Sequence, residues 1–207
     1  MTDRIILGGF STGGTLALYA AGLKRAKIEA VFSINAPYKL RSLSARFVPQ
    51  VVGMNSLLKR IRGPQAGWDY VENNPENKHI NYKRNPLSGV SQLNQVIEQT
   101  EKVVGEILVP TLVVQGSKDP IVDPSSGPEL FNRVGTPLKE MTILERSNHG
   151  IINNVGAEDV YERVYRFLLW AETKQPQVHE AAEACLTRFD VAPHRIPEEE
   201  PEPATVG

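Results

Sequence analysis

Cysteine is almost absent, with Cys185 standing alone among 207 residues. A single thiol excludes an intrachain disulfide and a cysteine-rich metal site, and leaves Cys185 as a small apolar filler. Long apolar runs are missing as well. The longest candidate, around ILVPTLVVQG, is interrupted by Pro110, so no integral membrane segment is expected. An excess of charge of one sign is also lacking. A formal net charge of −1 gives no basis for a nucleic-acid partner or a strongly charged one. Neither a signal peptide nor an internal repeat is recognised. What is present, 41% hydrophobic and 23% charged residues, is ordinary for a globular protein, and the length suits one domain with a small insertion.

The informative stretch is RIILGGFSTGGTLAL, Arg4 to Leu18. Its apolar start reads as a buried strand, its glycines as a tight turn, and Leu16, Ala17, Tyr19 and Ala20 as the start of a helix. Three chemistries use that order. A phosphate loop would space Gly8 and Gly13 correctly and could place Thr15 on magnesium, but its lysine position holds Gly14. A dinucleotide turn starting at Gly9 would have Ser11 where a glycine belongs. It would also need an acid at the end of the next strand, where AVFSINAP has Asn35. The third pattern, Gly-x-Ser-x-Gly, is matched in full by Gly9-Phe10-Ser11-Thr12-Gly13. There a serine sits on a strained strand-to-helix turn, with small residues two before and two after it, and the helix start faces the oxygen that becomes negative.

Further along, AVFSINA (30–36), PTLVVQG (110–116) and KEMTILE (139–145) read as strands, with a short helix in PSSGPELFNRVG between the last two. Strands separated by helices imply a parallel sheet. Between Tyr38 and Glu106 the pattern changes. Residues 38–62 carry six Lys or Arg and no acid, residues 63–86 are polar and turn-rich, and Leu93, Val96, Ile97 and Val104 share one helical face. The basic stretch reads as a solvated helix face ahead of a contact with an anionic lipid surface. Residues Ala157 to Glu172 form an amphipathic helix with Val160, Val164, Phe167, Leu168 and Ala171 on one stripe. The expected organisation is a core of residues 1–37 and 107–174, a helical cap insertion of 38–106, and a largely disordered tail of 175–207. That tail holds at most a short helix around VHEAAEACLTRF and closes on PEEEPEPATVG.

An activated serine needs a base, and the base needs an orienting carboxylate. Of the four histidines, His79 lies in the polar part of the insertion, and His179 and His194 lie in or near the tail. Only His149 directly follows an expected strand. Asp119 has the same placement after LVVQG, and Asp123 is the second choice for the acid. The chain order Ser11, Asp119, His149 is that of α/β-hydrolases.

With these residues in view, the chain resembles the C-terminal half of an α/β-hydrolase of the carboxylesterase and monoacylglycerol lipase branch, over roughly residues 4 to 172. GGFSTGG resembles that family's nucleophile turn, VPTLVVQGSKDPIVDPSSG its acid loop, SNHGI its histidine loop and VYERVYRFL its final helix. The insertion after INAP stands where the family carries its cap. The resemblance implies Ser11 as nucleophile, His149 as base, Asp119 as orienting acid and the backbone amide of Thr12 as one oxyanion donor, with no cofactor and no metal. It implies an α/β fold: a parallel-sheet α/β-hydrolase core, here lacking its N-terminal strands, with a helical cap insertion. The partner expected is a small-molecule ester or lipid substrate, in a cytoplasmic protein of unassigned oligomeric state. Phe47, Val51, Val52, Met54, Leu57 and Leu58 would roof an apolar acyl pocket, although for most of them ordinary cap packing suffices as an explanation. Thioester or amide hydrolysis and acyl transfer use the same triad.

The departure from the family is at the start, where the nucleophile strand begins a few residues after Met1. The loop that carries the second oxyanion amide in the family has no counterpart in its usual place. The expectation is therefore a piece of a longer hydrolase, with an unpaired sheet edge and weak esterase activity on its own. On that reading the missing signal peptide carries no weight. The alternative is a non-catalytic, hydrolase-derived binding or interaction protein, and the DNA upstream of Met1 discriminates the two.

Overall fold

The computed structural model describes residues 5–23, 27–39, 48–63, 67, 69–72 and 82–188. Phe47, His79, His194 and the PEEEPEPATVG end lie outside them, as does any account of the His179 and Cys185 side chains. The core is a four-stranded sheet of β1 (Ile5–Phe10), β2 (Ile28–Ile34), β5 (Thr111–Gly116) and β6 (Lys139–Leu144), in the order β1-β2-β5-β6. Every pairing in it is parallel. Each expected strand is present, with its ends moved by a few residues.

The sheet alternates its side chains between two apolar layers, as the two-residue period of a strand requires. Val31 and Val113 point to one face, where they meet Ala17, Leu18 and Ala21 of α1 (Thr12–Leu23) together with Leu130. Ala30, Ile34, Leu112 and Val114 point to the other, against Val160, Phe167 and Ala171. The stripe expected for residues 157–172 is thus the stripe that covers the second face.

The insertion is mostly helical, with a short strand ribbon in the part that reads as polar and turn-rich. It contains α2 (Val48–Arg62), a two-stranded antiparallel ribbon of β3 (Tyr70–Glu72) and β4 (Arg84–Pro86), and then α3 (Leu87–Val103). α3 packs along α1, so closely that a Cβ on Gly22 would stand 2.6 Å from Val103 O. It therefore belongs to the layer beside the sheet, while α2 packs on α3. Where the chain leaves β2, Ser126 pins it: its Oγ accepts from the Lys39 amide at 2.9 Å and donates to Lys39 O at 3.2 Å. Ser126 opens α4 (Ser126–Arg133), the short helix between β5 and β6.

The last helix, α5, runs from Ala157 to Arg188, past the point where the sequence reading ends it and begins a largely disordered tail. Residues 177–188 are rich in alanine and glutamate, which favour helix. The polar composition that suggests a solvated end is equally compatible with a solvated helix.

Candidate active site

Each strand of the sheet leads at its carboxyl end to one polar residue of a single cluster, at the end where open parallel sheets gather their sites. Ser11 follows β1, Asn35 follows β2, Asp119 lies in the loop after β5, and His149 lies in the loop after β6.

Ser11 occupies the turn between β1 and α1 with φ of +54°, a left-handed conformation unfavourable for a residue with a Cβ. The surroundings enforce it. Its amide donates to Ile34 O at 2.8 Å, while its carbonyl accepts from the amides of Gly14 and Thr15 at 2.9 and 3.2 Å as the helix begins. Gly9 is required by space, since a Cβ there would stand 2.2 Å from the Gly13 carbonyl carbon. The other expected small position is displaced by one residue. A Cβ on Gly13 would meet nothing within 4 Å among the described residues, whereas one on Gly14 would crowd Gly9 O at 2.9 Å and Ala36 Cβ at 3.0 Å. The tight second glycine is Gly14, because it faces back onto β1 and β2 and Gly13 does not. Thr12 is the first residue of α1, so its amide is among the four that a helix leaves without an intrahelical partner.

The three residues assigned from the sequence come together. His149 Nε2 lies 2.9 Å from Ser11 Oγ, and His149 Nδ1 lies 2.7 Å from Asp119 Oδ2. Asp119 is fully buried, which is tolerable for a carboxylate only with donors around it. Its Oδ1 accepts the amides of Ile121 and Val122 at 2.8 and 2.9 Å. The second candidate, Asp123, braces the chain ahead of α4 instead, where its Oδ1 accepts the Ser125 amide at 2.9 Å. An ionised carboxylate can only accept, so in a neutral imidazole this contact assigns the proton to Nδ1 and leaves the Nε2 lone pair facing Ser11. The Phe10 ring lies beside the imidazole, centroids 4.9 Å apart.

Backbone bonds join the acid and histidine loops. The Ser117 amide donates to Leu144 O at 2.9 Å and the Lys118 amide to Arg146 O at 3.0 Å. Lys118 also pairs with Glu145 at the rim, which holds the Glu145 carboxyl below its usual range by a hydrogen bond first and by charge second. Arg146 bonds to Asp159 and to Gly156 O, fastening the loop to α5. Sequence reasoning did not single out Asn35, whose carboxamide reaches both Gly116 and His149. Of the apolar residues expected over the site, Met54 and Leu57 are about half exposed on α2, and Val51, Val52 and Leu58 are half-buried. Among the described residues no helix is long and apolar enough to cross a membrane.

Comparison with known proteins agrees with this architecture. The chain is 26% identical over 165 residues to a thermostable monoacylglycerol lipase of Bacillus sp. (strain H-257), covering 80% of this chain and 62% of the lipase. It is 28% identical over 166 residues to a carboxylesterase of Bacillus subtilis (strain 168), covering 80% of this chain and 64% of the esterase. It therefore spans less than two thirds of the length of these curated relatives. Among solved structures, one from the work on the metagenome-derived lipolytic enzymes LipS and LipT superposes with a TM-score of 0.65 at 23% identity, over 80% of this chain and 64% of that one. The monoacylglycerol lipase of Paleococcus ferrophilus gives 0.61 at 18% identity, over 81% of this chain and 68% of that one. The family model described as serine aminopeptidase, S33, matches residues 1–155, which is most of the chain. The chain belongs to that family of α/β-hydrolases.

Proposed function

We propose that this site hydrolyses carboxylic esters through an acyl-enzyme, with Ser11 as nucleophile, His149 as general base and Asp119 as the orienting acid. The observation that carries the proposal is the unbroken relay from Ser11 Oγ through both ring nitrogens of His149 to buried Asp119. Ser11 Oγ attacks the ester carbonyl while its proton passes to Nε2, and Asp119 supports the imidazolium that forms. The same proton then goes to the leaving alcohol. Water, deprotonated by His149, attacks the acyl-enzyme and releases the acid and free Ser11. The Thr12 amide, at the positive end of α1, is the donor for the oxyanion.

The choice of ester over amide rests on the relatives, a monoacylglycerol lipase and a carboxylesterase. Half-exposed Met54 and Leu57 on α2 suit an acyl chain, so medium-chain esters or monoacylglycerols are the substrates proposed. The test is labelling by a fluorophosphonate beside hydrolysis of a nitrophenyl butyrate, a monoacylglycerol and an aminoacyl nitroanilide, each compared with Ser11→Ala. Labelling at Ser11 is expected, with esters cleaved ahead of the anilide and activity lower by ~10⁴-fold or more in the variant. A folded chain that is never labelled would instead favour a non-catalytic binding protein. Preference for the anilide would favour peptidase chemistry, which the family's description names.

A further inference from the structure

Ile34 and Asn35 end the path of β2 between the nucleophile's strand and the acid's strand. Ile34 O accepts the Ser11 amide at 2.8 Å. The Asn35 backbone donates to Val114 O at 2.9 Å, continuing the ladder, and its buried side chain then reaches in two directions. Oδ1 accepts from the amide of Gly116, three residues before Asp119, at 2.7 Å. Nδ2 donates to the carbonyl of His149 at 2.8 Å. Two consecutive residues outside the relay thus touch the backbone of Ser11, of the strand end before Asp119, and of His149.

The chemistry of the two contacts selects the residue type. A backbone amide only donates and a carbonyl only accepts, so the bridging group must do both from one rigid plane, as a carboxamide does. The backbone selects it again. Asn35 has φ of +45°, a region that asparagine enters more readily than most residues with a Cβ. The histidine loop makes its own internal bonds, Ile151 N to His149 O at 2.9 Å and Asn153 N to Gly150 O at 3.3 Å. Those bonds hold the shape of the loop, whereas Asn35 ties that shape to the sheet.

We propose that Asn35 is a positioning residue of this site, whose buried carboxamide sets the spacing of the acid and histidine loops and so the aim of His149 Nε2 at Ser11. This rests on the roles given above to Ser11, His149 and Asp119. Asn35→Gly keeps the left-handed backbone and removes only the carboxamide. Asn35→Asp keeps the shape and the bond from Gly116, and replaces the donor to His149 O with an acceptor. Both are expected to lower kcat per fluorophosphonate-titrated serine by about 10- to 100-fold, with KM within about twofold, because small misplacements of a reacting group are amplified in rate.

A second readout needs no activity. The proton shared by His149 Nδ1 and Asp119 should give a far-downfield NMR resonance in the unmodified chain, lost or broadened in Asn35→Gly while the fold persists. Turnover per titrated serine equal to that of the unmodified chain, or an unchanged resonance, overturns the proposal. So does an Asn35→Gly chain that no longer folds cooperatively, since Asn35 would then be a structural residue. Should Ser11 never react in the unmodified chain, the hydrolase reading fails, and the resonance alone decides whether Asn35 positions His149.

Discussion

β1 and β5 carry the two ends of the same relay on opposite kinds of support. All six residues of β5 are buried, with β2 and β6 paired on its two sides and apolar layers on both faces. β1 is the end strand of the described sheet, with Ile6 44% exposed and Ile5 also open to solvent, as are Leu16 and Leu23 on the α1 that follows it. An interior strand pairs its backbone groups with neighbours on both sides, whereas an edge strand leaves those on its open side without a strand partner. Ser11, the proposed nucleophile, is held chiefly by its own turn, through a strained backbone, a glycine contact and the start of α1, with one bond from its amide to Ile34 O on β2. Asp119 and His149 make local bonds too, but their loops are also joined to each other and to the sheet by several cross-links between segments distant in sequence. Substitutions at Ser11's end should therefore act through the turn, and those at the other end through the network.

The contrast breaks most visibly at the carboxylates. Asp119→Asn should lower kcat by about 10⁴-fold, because a carboxamide can present its N–H to Nδ1 and so favour the wrong imidazole tautomer. Asp123→Asn should stay within about tenfold, since its carboxamide oxygen can still accept from the Ser125 amide. Steady-state turnover of a nitrophenyl ester by the two variants decides the matter, and a reversed ranking would move the acid role to Asp123.

A smaller effect, in stability, separates the strands themselves. Leu112, 1% exposed on β5, should lose about 2–5 kcal/mol on replacement by alanine, the range for emptying a well-packed site. Ile6→Ala on β1 should lose less than about 1 kcal/mol, because much of that side chain already meets water. Urea unfolding at two protein concentrations measures both. Equal losses, or a loss at Ile6 that depends on concentration, would mean that the β1 edge is covered in solution.

The legible parts of this molecule were those set by local pattern. Apolar runs marked the four strands of the sheet, parallel order placed their ends together, and Ser11, Asp119 and His149 each followed one of those ends. Asn35 escaped because its partners, Gly116 and His149, are 81 and 114 residues away. Nothing near INAP announces a bond to a histidine loop. Gly13 and Gly14 look alike in sequence, and only the packing of α1 against β2 distinguishes the open position from the tight one. The ribbon of β3 and β4 escaped for a different reason: strands of three residues are too short to show a period. Ser126 reads only as part of the short helix in PSSGPELFNRVG, and its bond to the chain leaving β2, 87 residues away, has no local signal.

The weakest link in the network is at its rim, between Lys118 and Glu145. Both side chains are largely exposed, so water and salt screen the pair. Lys118 lowers the Glu145 carboxyl in the folded chain, so any stabilisation is present above the carboxyl's ordinary value and is lost as pH falls through the lowered one. Glu145→Gln should therefore reduce Tm slightly at neutral pH and low salt. The difference should vanish in strong salt and again once the pH has fallen below the usual carboxylate range. Turnover should stay within about twofold, because the backbone bonds from Ser117 to Leu144 and from Lys118 to Arg146 join the same two loops without the ion pair. Thermal melts across pH and salt, beside ester turnover, test both halves. A tenfold fall in kcat would place control of the loop spacing at the solvent-exposed rim, and would remove the contrast between Ser11, held chiefly by its own turn, and the Asp119 and His149 loops, joined by a buried network.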